Sequence, residues 1–388
     1  MTRNRRYLMP LMLLVVGTAV VLFVLFSEWL TAQKGFYLGF NERGVFRIGG
    51  VTAAGGLMLL LLSFRQAKTG RTPGNWISVV RYAVYFGLIG YICYTVGLIA
   101  GFNTYAVGSA VNQKFAIGIY RSSKTTPLRF SGAGIKNPVL TRKHATDISA
   151  KIVADPFLVC EQDTFYIFFE IWNNFTNQGD IAVAAGSDGY TWRYRQVVLD
   201  EPFHLSYPNV FKWQGEYYMI PEATITHSVR LYKAETFPYQ WVFAKTILTG
   251  PRFVDSTIFE FDNRWWLFSE TGANDVLSLY YADTPMGPWT EHPQSPVIRG
   301  NANYARPGGN VVMMDGKLIR FAQDDDPGYG NQVWAFEITK LSTVDYQERR
   351  IGRRPVLRGK DAWNKNGMHQ LSPIQLANGD WIAAVDGF

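Results

Sequence analysis

Five carboxylates recur at regular places in the C-terminal three quarters of this sequence. Asp155 and Asp255 each open a short apolar run, Asp155-Pro-Phe-Leu-Val and Asp255-Ser-Thr-Ile-Phe. Glu170, Glu222 and Glu270 each close another, in DTFYIFFE, GEYYMIPE and NRWWLFSE. Carboxyls gathered in one buried place suit acid–base work on a glycosidic bond. One stays ionised as base or nucleophile, and another is held protonated by burial or by a like-charged neighbour. Tyr207 and Arg306 stand at the same point of the pattern as the two Asp residues. His204, in EPFHLSYPNVF, and His369, in GMHQLSP, each precede such a run. Glu170, His204, Tyr207, Glu270, Arg306 and His369 are therefore candidate substrate-binding groups. Architecture competes with chemistry at every one of these positions. Asp at a strand start caps turns, a recurrent Glu suits a structural role, and Arg306 neutralises acids as readily as it binds an anion.

The elements that must position these groups are strands, and they repeat. A first unit begins at Asp155, Tyr207, Asp255, Arg306 and Leu371, at intervals of 52, 48, 51 and 65 residues. A second unit follows each, opening on a turn residue and running into aromatic and β-branched positions, as a strand does. Its last residues are Glu170, Glu222, Glu270, Gln323 and Asp386. Third and fourth strands follow in four of the five units, but the fifth stops at Phe388. Its missing partners lie at the other end, where KFAIGIYRSS (114–123) matches the third strand and NPVLTR (137–142) the fourth. Terminal strands that complete the last unit close a ring and leave no open edge, which an open solenoid does not require. The expected fold is all-β, a five-bladed β-propeller. In it the first strands line a central channel, and their starts meet at one mouth.

The first hundred residues are a different polymer. Residues 1–101 hold ten basic groups and two acidic ones, Glu28 and Glu42, whereas 102–388 hold 28 and 29. The net charge of +7 thus belongs to the N-terminal segment, which excludes reading it as a nucleic-acid footprint on the folded domain. Aromatic content of 15% excludes a disordered chain. Apolar runs at about 8–30, 46–64 and 78–101 each approach the roughly 20 residues that cross a bilayer as a helix. Three transmembrane helices are expected, forming an anchor over 1–101 ahead of an extracytoplasmic propeller over 102–388. Arg3, Arg5 and Arg6, with Arg65, Lys68 and Arg71 in the second loop, place the N-terminus in the cytoplasm and the propeller on the exoplasmic side.

Other features carry weaker signals. The stretch ERRIGRRPVLRGKDAWNKN is a basic insertion, a solvated loop or a contact for lipid headgroups or acidic glycan. Asp324, Asp325 and Asp326 form an acidic turn. Asn174-Phe-Thr is a glycosylation sequon that matters only in a eukaryotic secretory pathway. Cys93 and Cys160 are not expected to pair.

The runs VADPFLV, YIFFE, DIAVAAGSDGYTWRY, VVLDEPFHLSYPNVF, EYYMIPE, WWLFSE, RFAQD and WIAAVDG resemble one family. It is the N-terminal domain family of plant glucosamine inositolphosphorylceramide transferase and its bacterial relatives, and the resemblance covers about 114–388. The plant protein also has a separate nucleotide-sugar transferase domain that this sequence does not carry. The family in turn resembles five-bladed glycosidases of the arabinanase and β-xylosidase type. That likeness implies a base or nucleophile at Asp155 and an acid-tuning role for Asp255. It implies an acid Glu on the fourth blade, where this sequence has Arg306, so Glu222 is the candidate proton donor. It also implies a channel cation near a fifth-blade His, here His369. No cofactor is required, although a structural divalent cation fits this resemblance. The expected partners are a glycan or glycolipid, the membrane and partner membrane proteins, not nucleic acid. Three function classes follow: a membrane-anchored glycoside hydrolase or transglycosidase, a non-catalytic glycan or glycolipid-headgroup binding module, and a structural subunit of a membrane complex.

Overall fold

The computed structural model describes residues 114–250 and 252–388. The membrane spans expected over 8–30, 46–64 and 78–101 lie outside the described residues. Among the described residues no helix is long and apolar enough to cross a membrane.

The described chain is a ring of five antiparallel sheets. It enters through β1 (Ala116–Ser122). The first blade is β2 (Ala150–Glu161), β3 (Thr164–Asn173), β4 (Gln178–Gly186) and β5 (Arg193–Leu199). The second is β6 (Ser206–Trp213), β7 (Glu216–Glu222), β8 (Ser228–Thr236) and β9 (Gln240–Thr249). The third is β10 (Val254–Phe261), β11 (Arg264–Glu270), β12 (Leu277–Ala282) and β13 (Thr290–Glu291). The fourth is β14 (Val312–Met314), β15 (Lys317–Asp324), β16 (Gln332–Leu341) and β17 (Tyr346–Arg350), with β18 (Leu357–Arg358) also paired to β16. The last blade is β19 (Leu371–Gln375), β20 (Trp381–Gly387) and, from the other end of the sequence, β1.

That exchange is the one the repeat requires. β1 pairs antiparallel with β20 from Ala116↔Gly387 to Ser122↔Trp381. Leu140, from the run matching a fourth strand, bridges Ile117 on the outer side.

Local chemistry sets the register. In four blades the first hairpin turns on two residues that both have positive φ: Gln162-Asp163, Gln214-Gly215, Asp262-Asn263 and Asp315-Gly316. Two-residue turns of this kind match the right-handed twist of the strands they join. They fix the pairing that sets Glu170 opposite Ala154, Glu222 opposite Ser206 and Glu270 opposite Val254. The core fills the seams between blades. Ile117, Ile119 and Ile382 of the last blade pack with Ile167, Phe169 and Ile171 of the first. Phe168 packs with Met219 and Tyr232 across the next seam, and Ile220 and Leu231 with Ile258 and Leu267 across the third. Phe268 and Leu279 meet Leu318 and Ile338, and Phe321 and Val333 meet Leu371 and Val385. Each buried side chain of this size contributes about 1.5–3 kcal/mol. Five seams of this kind return the ring to its start.

Candidate functional site

A repeated irregularity aims the channel residues. In each of the first three blades the inner hairpin slips register, between Ala154 and Phe157, Ser206 and Asn209, and Val254 and Thr257. Inside each slip sits one residue with a left-handed backbone: Asp155 (φ 53), Tyr207 (φ 45) and Asp255 (φ 48). This conformation is costly for residues other than glycine, on the order of 1 kcal/mol each. Its recurrence at three equivalent positions marks a bulge that re-aims a side chain.

The Asp155 carboxyl lies at the centre of a chain of contacts between blades. Its backbone N–H donates to Asp386 Oδ2 at 2.9 Å, and its Oδ2 accepts from the Tyr207 N–H at 3.2 Å. His369 lies between the two acids, with Nε2 3.6 Å from Asp155 Oδ1 and Nδ1 2.9 Å from Asp386 Oδ1. The shorter contact is an ion-pair approach without hydrogen-bond alignment. Asp386 also accepts the backbone N–H groups of His369 and Gln370. Burial pushes Asp155 up to about 7 against the pull of His369, with Asp255 and Asp386 adding repulsion. Burial opposes the charge on His369, but Asp386 and Asp155 outweigh it and raise the imidazole to about 9. Phe115 stacks on the imidazole at 4.7 Å and Tyr329 meets it edge-on.

Asp255 is bound on one oxygen and open on the other. Oδ2 accepts from Arg306 Nε at 2.6 Å and from Gln323 Nε2 at 2.5 Å, while buried Oδ1 has neither partner. Burial raises Asp255 to about 7 against the Arg306 charge, and repulsion from the nearby Glu222 carboxyl raises it further. Glu222 Oε1 accepts from Thr224 Oγ1 at 2.7 Å. Arg306 also donates to Asn274 Oδ1 at 3.3 Å, lies over the Tyr329 ring and faces Asp325 at 4.0 Å.

Glu170 and His204 form a third group. Burial lifts the Glu170 carboxyl well above the usual range, with Asp155, Glu222, Asp255 and Asp386 adding repulsion. His204 Nδ1 accepts the Gly179 N–H at 2.8 Å, so the neutral ring carries its proton on Nε2, 3.9 Å from Glu170 Oε1. Burial lowers this imidazole to about 4.

The structure thus brings Asp155, Glu170, Glu222, Asp255, Arg306 and His369 into mutual electrostatic contact at one mouth. Two candidates are held elsewhere. Glu270 accepts the Gly272 and Asn274 N–H groups at 2.6 and 2.9 Å and the Arg252 guanidinium at 3.4 Å, so it ties down its own loop. The fully buried Tyr207 hydroxyl bonds to Thr257 Oγ1 at 2.9 Å and accepts the Gly309 N–H at 2.8 Å. Asp324, from the acidic turn, accepts from Asn303, Gln332 and Trp334. Tyr329 and Phe115 belong to the site; no repeat covers Tyr329, and the match of 114–123 to a third strand does not single out Phe115. Asp386 was visible only as the last member of the Glu170 series.

One set of donors has the composition of a cation site. Single ligand atoms of Asp155, His369 and Asp386 lie within 4.8 Å of one another, all buried. Two carboxylates and an imidazole suit a divalent ion once His369 is neutral. Its raised pKa makes the imidazolium a competing occupant of the same charge well.

The class of protein defined here is a closed five-bladed propeller with buried, proton-holding carboxyls and two cationic side chains at one channel mouth. The chain belongs to the family described as glucosamine inositolphosphorylceramide transferase 1, N-terminal, whose model matches residues 119–388. Glucosamine inositolphosphorylceramide transferase 1 of Oryza sativa subsp. japonica is 37% identical over 296 residues, covering 70% of this chain and 40% of its own length. The Arabidopsis thaliana protein of the same name is 37% identical over 265 residues, covering 65% of this chain and 34% of its own. The chain therefore spans well under half the length of these relatives. Among solved structures it is similar to Zg3597, a family 117 glycoside hydrolase from Zobellia galactanivorans. The TM-score is 0.43 at 15% identity, covering 62% of this chain and 87% of that one.

Proposed function

We propose that this propeller is a membrane-anchored, carbohydrate-active module that works on an exported glycan or on a glycolipid headgroup by carboxyl acid–base chemistry. The observation that carries the reading is the buried carboxyl cluster at the mouth, in which Asp155 and Asp255 are both raised to about 7 and Glu222 lies close enough to Asp255 to raise it. On this reading Glu222 donates a proton to the departing glycosidic oxygen as the C–O bond breaks. Asp155 takes a proton from the attacking water or sugar hydroxyl. Asp255, held on Oδ2 by Arg306 and Gln323, orients Glu222 and sets its readiness to donate. His204 presents a neutral N–H donor at the rim, and the names of the plant relatives supply the glycolipid class.

The test uses the full chain in nanodiscs with a panel of glycosylated sphingolipids and end-labelled oligosaccharides. Asp155→Asn and Glu222→Gln should each lower turnover by roughly 10²–10⁴-fold while the circular dichroism spectrum stays unchanged. Full activity in Asp155→Asn would overturn the assignment.

A second reading rests on Arg306, which places a cation where the resemblance implies an acid. On this reading the pocket binds a headgroup without turning it over. Saturable calorimetric binding by a wild-type chain that releases no sugar would establish it.

A further inference from the structure

The site opens on a face with a composition of its own. The second strand of each blade runs toward the mouth, so the loops that follow Glu170, Glu222 and Glu270 lie on the mouth side. Phe175, in the loop after β3, is 87% exposed, and Ile225, in the loop after β7, is 59% exposed. The Ile225 turn is bonded directly to the site, through Thr224 Oγ1 to Glu222 Oε1. Two neighbouring blades thus hold bare apolar side chains over the same opening.

The basic insertion lies along the same face. Leu357 and Arg358 pair with Val333 and Gln332, at the mouth end of β16. Asn366 donates its backbone N–H to the Phe388 carbonyl, beside Phe115. From Arg349 to Lys365 there are seven basic residues and one acid, Asp361. Arg353, Arg354, Lys360 and Lys365 are exposed. The backbone also enters β1 here, because Phe115, just ahead of that strand, stacks on His369 and meets Phe388 at a tilt. The sequence upstream of that point carries the three apolar runs.

We infer that the mouth face of the propeller is a bilayer-docking surface: Phe175 and Ile225 enter the interface of an anionic phospholipid leaflet while Arg353, Arg354, Lys360 and Lys365 meet its headgroups. Apolar tips beside a basic crescent are the composition that an anionic lipid surface selects. The chain's entry on this face argues for lipid over a soluble protein partner. The inference deepens the proposed function, and rests on it for the substrate: a glycolipid headgroup would meet the carboxyl cluster without leaving its leaflet.

Membrane depth tests this without any turnover, so a propeller inactive on every glycan still reports on its docking face. Phe175→Cys, Ile225→Cys and, on the opposite face, Val344→Cys are made in a full-length Cys93→Ser/Cys160→Ser background and spin-labelled in nanodiscs. The inference expects labels at 175 and 225 to collide several-fold more with oxygen than with an aqueous nickel chelate, and the label at 344 to show the reverse order. In nanodiscs with phosphatidylglycerol, Lys360→Glu/Lys365→Glu should lower the oxygen-to-nickel ratio at 175 and 225. In phosphatidylcholine alone it should leave that ratio unchanged. Labels at 175 and 225 as open to nickel as the one at 344 would overturn the inference. Labels shielded from both quenchers would mean a protein partner or a second copy, and would overturn it too. Where labelling disturbs folding, hydrogen exchange on the unmodified chain replaces it. Protection of 174–177 and 223–227 must then be stronger in nanodiscs than in detergent.

Discussion

Asp155 donates its backbone N–H to the carboxylate of Asp386, so the first blade and the last are joined at the mouth by residues 231 positions apart. The same carboxylate accepts two further backbone N–H groups and faces the His369 imidazolium. Asp386→Ala strands three buried donors and one buried cation. It should cost about 3–5 kcal/mol in a denaturant titration. Asp386→Asn preserves the acceptor and should cost less. NMR titration should then show the His369 pKa falling from about 9.

Stability should depend on pH in a direction set by burial. Asp155 and Asp255 are raised to about 7, so the folded chain holds more protons than the unfolded one between roughly pH 4 and 7. Stability should fall across that interval as pH rises. His369, raised to about 9, prolongs the fall from about pH 6.5 to 9. His204, lowered to about 4, acts on the acid side, where stability is lost as pH drops from about 6.5. Chemical denaturation in a pH series should show Asp155→Asn flattening the limb between pH 4 and 7. An unchanged limb in that variant would remove Asp155 as its source.

Arg306 holds Asp255 toward ionisation. Arg306→Ala should therefore raise the Asp255 pKa and move the acid limb of any activity or binding profile to higher pH. Arg306→Lys keeps the charge without the Nε contact and should restore part of the shift. A pH profile untouched by both variants would leave Arg306 with no influence on the pair.

Gly309 has φ 133, and a Cβ there would lie 1.8 Å from the Leu371 carbonyl oxygen. Its N–H also binds the Tyr207 hydroxyl inside the channel. Gly309→Ala should destabilise the ring by at least about 3 kcal/mol, from overpacking and backbone strain together. Thermal unfolding read beside Gly316→Ala, at a position with open space around it, would isolate the steric part.

The ring was legible because its elements repeat. Turn residues ahead of DTFYIFFE, GEYYMIPE and NRWWLFSE show where strands begin, and an incomplete fifth unit shows where the leftover N-terminal strands must pair. The division of labour among the acids was not legible. Glu170, Glu222 and Glu270 close the same repeat. Yet Glu270 bonds into the loop that follows it, Glu222 meets Asp255, and Glu170 faces His204. Those differences arise in loops of unequal composition, which a strand pattern does not record. Tyr329 escaped for the same reason, since it reaches His369 from outside the repeat, and the match of 114–123 to a third strand says nothing of the contact between Phe115 and His369.

The pairing of β1 with β20 also bears on how the molecule is made. A strand among the earliest of the described chain to leave the ribosome has its permanent neighbour among the last of the described residues. The four intervening sheets can form as they emerge, but the clasp waits until residues 381–387 have been made. Contacts this distant in sequence are slow to form, so a nascent chain stalled short of Trp381 would hold four finished blades and a loose one.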